Sequence, residues 1–85
     1  MITDNFGSIM LGSANLQISM AGVEILTGNP RVLNFSIIAD NDYHITINGG
    51  TPIFIRGSQI LLVPVVNSVS IVEAGITYNW NGQKG

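Results

Sequence analysis

The chain is predicted to be all-β: a single small β-sandwich or jelly-roll-like barrel of about eight short strands, preceded by an N-terminal arm. Three observations predict this. Tyr43-His44-Ile45-Thr46-Ile47-Asn48 and Ile76-Thr77-Tyr78-Asn79-Trp80-Asn81 alternate apolar with polar residues. That period of two gives a strand one face for a core and one for a wetter side. Turn-forming clusters recur roughly every ten residues from Gly28 onward, the spacing of a sandwich or barrel. Finally, three Lys/Arg and five Asp/Glu are the only charged side chains in 85 residues, far below the ~25% usual in soluble domains. A small sheet protein with so little solvating charge is expected to be covered by copies of itself or by a larger partner.

Residues 1–12 are punctuated by Gly and Ser among scattered apolar residues (Ile2, Phe6, Ile9, Met10, Leu11), and read as an arm apolar enough to pack on a neighbour. The domain proper is taken as 13–85. Residues 13–27 are ambiguous. Ala14, Ile18, Ala21 and Ile25 fall at helical spacing and Gly28-Asn29-Pro30 would end a helix. Leu16-Gln17-Ile18-Ser19-Met20 nevertheless alternates strictly, and Gly22 in mid-helix would cost ~1 kcal/mol. Two strands, 16–20 and 23–27, are therefore favoured over one helix.

Later elements are clearer. Arg31–Ile38 is rich in β-favouring residues and ends at the turn-prone Asp40-Asn41-Asp42. Tyr43–Asn48 follows, and Asn48-Gly49-Gly50-Thr51 supplies the positive φ angles of a tight hairpin. Pro52–Arg56 and Gln59–Val63 are separated by Gly57-Ser58. Pro64 cannot donate to a ladder, so the second of these strands ends there, bulges, or lies at an edge. Val69–Glu73 and Ile76–Trp80 flank Ala74-Gly75.

Ile60, Leu61, Leu62, Val63, Val65 and Val66 form the longest apolar run, broken only by Pro64. Continuous apolarity implies burial on both faces, once by the chain's own core and once by something else. Together with Met10 and Leu11 of the arm, these are the expected interface residues. The run is also β-prone and uncharged, with Pro64 as its gatekeeper against aggregation.

Size and composition narrow the remaining classes. A domain this small buries roughly 60–65% of its unfolded surface, and such a core rarely supplies more than ~3–5 kcal/mol without a staple. There is no cysteine and one histidine, so neither disulfides nor a zinc site can provide one. Oligomerisation or docking is the staple left, and a homo-oligomer is expected. Three dispersed basic groups cannot follow a phosphate backbone, which argues against nucleic acid. The apolar run is far short of the ~20 residues of a membrane span. Met1-Ile2-Thr3-Asp4-Asn5 shows no basic region followed by an apolar block, so no export signal is read.

No catalytic constellation stands out. Nucleophilic catalysis needs a nucleophile, a base within hydrogen-bond reach and an orienting group, and neither His44 nor the carboxylate pairs Asp40/Asp42 and Glu24/Glu73 offer one by spacing. The chain is expected not to be an enzyme and to need no cofactor. Asp40, Asp42 and His44 could share one face of an extended segment as metal ligands, but Asp-Asn-Asp is better explained as turn chemistry, with side chains bonding nearby amides. An alternative role uses Tyr78 and Trp80 as a stacking platform for sugar rings, with Asn79 and Asn81 as neutral amide contacts to a host-surface glycan.

Several segments taken together carry a resemblance: the Gly28-Asn29-Pro30-Arg31 turn, a Leu33-x-Phe35-x-Ile37 strand, a Tyr43-x-Ile45-x-Ile47 strand, the Gly49-Gly50-Thr51-Pro52 turn, and a closing Val69–Gly82 segment. Over roughly residues 14–82 the chain resembles the small β-sandwich modules of tailed-phage virions, such as head-decoration, head-fibre and tail-accessory proteins. These share a pattern more than fixed residues, so no functional residue carries over. The resemblance implies an oligomeric virion subunit, assembled in the host cytoplasm, that contacts capsid or tail subunits and stabilises a capsid or presents a host-facing surface.

Overall fold

The structure, a computed structural model, describes residues 10–12, 16–28 and 31–85. Among them are eight strands and no helix: β1 (Met10–Gly12), β2 (Gln17–Ile18), β3 (Val32–Ala39), β4 (Tyr43–Ile47), β5 (Ile53–Ile55), β6 (Leu61–Val66), β7 (Val69–Ile71) and β8 (Thr77–Lys84). They form two antiparallel sheets packed as a small β-sandwich. The large sheet has the order β1-β8-β3-β6, with β2 also pairing β8, and the small sheet has the order β5-β4-β7. After β3 the chain crosses between sheets at every connection except the β4–β5 hairpin.

β3 lies between β8 and β6. Its inward side chains, Val32, Phe35, Ile37 and Ala39, are all buried. They meet Tyr78 and Trp80 from β8, Val66 from β6, Tyr43 and Ile45 from β4, Ile55 from β5, and Val69 and Ile71 from β7. Phe35 and Trp80 stack at a tilt, with ring centroids 5.7 Å apart, a geometry that adds specific aromatic attraction to their area burial.

β3 is bulged. Leu33 pairs with Gln83 and Ser36 with Asn81, so Asn34 and Phe35 together oppose Gly82 alone. Asn34 takes φ 51°, the left-handed conformation that starts a bulge of this kind and that Asn tolerates better than most residues. Its side-chain amide donates to Gln83 Oε1 at 2.8 Å. Gly82 has to be glycine for a packing reason. A Cβ there would strike a Val32 methyl and come within 3.0 Å of the Leu33 carbonyl oxygen.

The turns follow their sequence chemistry. Asn48 and Gly49 both have positive φ, 51° and 72°, and the Gly50 N–H donates to the Ile47 carbonyl at 2.9 Å, the tight hairpin turn expected for these residues. Asn48 Oδ1 also accepts the amides of Asn67 (2.5 Å) and Ser68 (3.2 Å), tying this hairpin to the β6–β7 connection. At the other end of the sandwich, Asp42 Oδ1 accepts the Gly57 amide at 2.7 Å, and the Ser58 amide donates to Ala39.

Strand number matches expectation, but membership does not. The expected strand over 23–27 is reduced to a single bridge, Glu24 with Ser70, because the Glu24 carboxylate turns back to accept the amides of Leu26 and Val69. In its place Met10–Gly12, expected to end the arm, is β1, paired with β8 of its own sheet. The other arm residues, 1–9, lie outside the described residues. Residues 16–28 contain no helix, which resolves the earlier ambiguity. Pro64 does not end its strand: β6 continues to Val66, which an edge strand permits.

The bulge predicts that Gly82→Ala destabilises by about 2–3 kcal/mol through forced overpacking. Gly49→Ala, where open space surrounds the site and only positive φ penalises a side chain, should cost about 1 kcal/mol. Chemical denaturation of both variants checks the order, and a Gly82→Ala variant as stable as wild type would contradict it.

Candidate functional site

Among the described residues, six of the eleven exposed large apolar side chains (Leu16, Ile18, Ile38, Ile60, Leu62 and Val65) lie on the outer face of the large sheet. Its rows can be read from the register. Leu33, Gln83 and Val65 share one row with the backbone of Met10. Gly12, Asn81, Ser36 and Leu62 form the next. Two residues further along each strand, Leu16, Asn79, Ile38 and Ile60 line up, and beyond them Ile18, Thr77 and Asp40. No residue in the first three rows carries a charge.

Apolar side chains flank a band of neutral polar groups on this face. On one side stand Ile60 (61% exposed), Leu62 (72%) and Val65; on the other stand Leu16 and Ile18, each 68% exposed. Between them Ser36 Oγ donates to Asn81 Oδ1 at 2.8 Å, and the Asn34–Gln83 bond continues the polar band. Two shallow apolar notches open here. One, of about 310 Å³, lies between β3 and β6 against Phe35, Leu62 and Pro64. The other, of about 280 Å³, is lined by Leu16, Ile38, Ala39, Asp40, Ser58 and Thr77.

The expected interface residues therefore divide. Ile60, Leu62 and Val65 face outward. Leu61 and Val63 are half-buried against the chain's own core, and Val66 is fully buried. The run alternates from Ile60 to Val63 and changes phase at Pro64, and within the chain only its inner side is covered. Leu11 is likewise half-buried against the core rather than free to reach a neighbour, and Met10 is placed only by its backbone pairing with Gln83. Leu16, Ile18 and Ile38 belong to the face but were not singled out from sequence. The alternation of Leu16, Ile18 and Met20 with Gln17 and Ser19 is real, yet its polar side is the one turned in at Ser19. Ser19 Oγ donates to the Glu73 carbonyl at 2.6 Å and accepts the Ile76 amide at 2.9 Å, which accounts for its burial.

The aromatic platform does not form. Tyr78 and Trp80 are only 9% and 7% exposed and point into the core, while Asn79 and Asn81 lie on the opposite face of the same strand. The four residues proposed as a sugar site are thus split by the sheet itself. Asp40, Asp42 and His44 also diverge: Asp40 accepts a long 3.4 Å bond from the Asn41 side chain, Asp42 bonds the Gly57 amide, and His44 turns to Glu73.

The His44–Glu73 pair lies on the outer side of the small sheet. Nδ1 of His44 is 2.6 Å from Glu73 Oε2, the His44 backbone amide donates to Oε1 at 2.8 Å, and the imidazole meets Phe54 edge-on at 5.3 Å. The backbone bond from His44 holds the Glu73 carboxyl below its ordinary 4.5, burial works against it, and the side-chain bond adds to the lowering. Inside the sandwich, the Tyr43 hydroxyl is buried with no hydrogen-bond partner among the described residues, and burial pushes its pKa up to about 12.

Comparison of the chain with protein-family models, with curated proteins and with solved structures gave no match.

Two outcomes follow from these groups. A carboxyl depressed in the folded state contributes stability above its unfolded pKa and loses it as pH falls through the folded value. The wild-type denaturation midpoint should therefore drop as pH goes below 4.5, and Glu73→Gln should flatten that limb. Equal slopes in the two proteins would contradict the assignment. Tyr43→Phe removes a buried, unpaired hydroxyl while keeping the ring, so it should leave stability unchanged or raise it by up to ~1–2 kcal/mol at neutral pH. It should also weaken the alkaline loss of stability that begins near 10.0, where the unfolded tyrosine ionises first. A destabilised Tyr43→Phe protein in urea denaturation would show that the hydroxyl has a partner.

Proposed function

We propose that the chain is a non-enzymatic structural subunit of a tailed-phage virion, a capsid-decoration, fibre or tail-accessory module that acts by assembling. The observation that carries this is the outer face of the large sheet, uncharged in its first three rows, where Ile60, Leu62, Val65, Leu16 and Ile18 stand in water. Exposed apolar side chains gathered on one face, here in two groups either side of a neutral polar band, mark a surface that is covered in use. Each large aliphatic side chain gains ~1.5–3 kcal/mol when fully buried, so covering the face would supply the stability that a cysteine-free domain of 85 residues otherwise lacks. The sequence pattern it shares with virion sandwich modules supports the same reading, with capsid or tail subunits as further partners.

The virion assignment is tested on gradient-purified particles from lysates of the organism that carries the gene. Peptides of this chain at a fixed ratio to the capsid protein would support it; their absence from particles would overturn it. The assembly mechanism is tested by light scattering over a range of concentration and salt. Wild type should hold a defined oligomer on dilution and in high salt, because an uncharged apolar contact is not screened. Leu62→Asp should keep its sheet spectrum and cooperative unfolding, since Leu62 is 72% exposed, while its mass falls to that of a monomer. A variant that assembles like wild type would contradict the role given to this face.

A further inference from the structure

We propose that the occupant of the large sheet's outer face is the same face of a second copy, related by a two-fold axis that runs along the strands between β8 and β3. This rests on the assembly reading above and specifies its contact. The face is built from four strand positions in the order β2 or β1, β8, β3, β6. Rotation by 180° about an axis between the central two exchanges β8 with β3 and β6 with β2 or β1. Every position on the face then meets a defined position on its copy, as an isologous contact requires.

The residues suit that exchange. Ile60 of one copy lies over Leu16 of the other, placing one well-exposed aliphatic residue of each edge together. Leu62 lies over Gly12, which offers no side chain to collide with it. The notch lined by Leu16, Ile38 and Thr77 is the space into which the Ile60 side chain would project. In the middle, Ser36 faces Asn81, hydroxyl to amide, and Ile38 faces Asn79, so neither pair brings charges together.

Charge favours self-pairing over a partner of opposite sign. The first three rows are uncharged, and Asp40, the one charge in the fourth, falls over Thr77 of the other copy rather than over a carboxylate, although the chain is formally −2 overall. A strongly charged partner would find only Asp40 to pair with. The area also suffices. Four strands at ~4.8 Å spacing and four rows at ~6.7 Å span about 500 Å² in plane. Two such faces total about 1,000 Å², the threshold for a specific interface before side-chain relief is added.

The absence of cysteine allows a direct test. Leu16→Cys and Ile60→Cys are made separately, both at exposed positions where folding is tolerant. Each protein, and an equimolar mixture of the two, is treated with a short bismaleimide that spans the ~10 Å between packed sheets. The arrangement predicts a covalent dimer in the mixture and little in either variant alone, because the two copies of residue 60 lie at opposite edges. Strong cross-linking of Ile60→Cys with itself would overturn this axis in favour of β6 against β6. An oligomer by light scattering with no cross-link in the mixture would overturn this face while leaving the assembly reading intact. A monomer by light scattering would overturn both.

Discussion

The large sheet depends on how β3 manages two neighbours at once. Val32–Ala39 pairs with β6 in an unbroken register, yet pairs with β8 across a one-residue shift. Asn34 absorbs the difference by adopting positive φ, and Gly82 absorbs it by having no side chain. With this bulge in place Phe35 reaches the core and stacks on Trp80, while Leu33 and Ser36 on either side remain on the outer face. Pro64 lies opposite Asn34 on the edge strand, so the position where β3 departs from regular geometry is matched by one that could not have donated to a ladder in any case.

The sandwich spends its few charges as staples for its own loops. Glu24 gathers the amides of Leu26 and Val69, Asp42 holds Gly57, and Glu73 holds the amide and ring of His44. Carboxylates employed in this way order turns that join the two sheets, and they leave the outer face of the large sheet with Asp40 at one end as its one charge among the rows described. A small cysteine-free core and a face with little charge to keep it apart from another apolar surface are two consequences of one composition. That connection is the physical basis for reading the chain as an assembly subunit.

Much of the fold was legible in the sequence because period two is a local property. The alternation in Tyr43–Ile47 and in Thr77–Trp80, and the turn chemistry of Asn48-Gly49, act within a few residues and appear as expected, whereas Asp42 bonds the distant Gly57 amide rather than one in its own turn. What was not legible depends on partners distant in sequence. Nothing near Met10–Gly12 indicates that it pairs with Asn81–Gln83, and nothing near Glu24 indicates that its carboxylate will replace a ladder by bonding Val69. The same holds for the site. Alternation reveals that a strand has two faces but not which one a second sheet will cover. Leu16 and Ile18 are therefore outside and Ser19 inside, while Tyr78 and Trp80, suited by type to a binding platform, pack with Phe35 and the rest of the core. The run Ile60–Val66 appears doubly buried in sequence because both of its faces are apolar, yet this chain covers only one.

Thermal unfolding followed over a hundredfold range of protein concentration tests the central claim most directly. A domain whose apolar face is buried only against another copy is stabilised by mass action, so the wild-type midpoint should rise steadily with concentration. A midpoint independent of concentration would mean that the sandwich is complete alone and that its apolar face is simply tolerated in water.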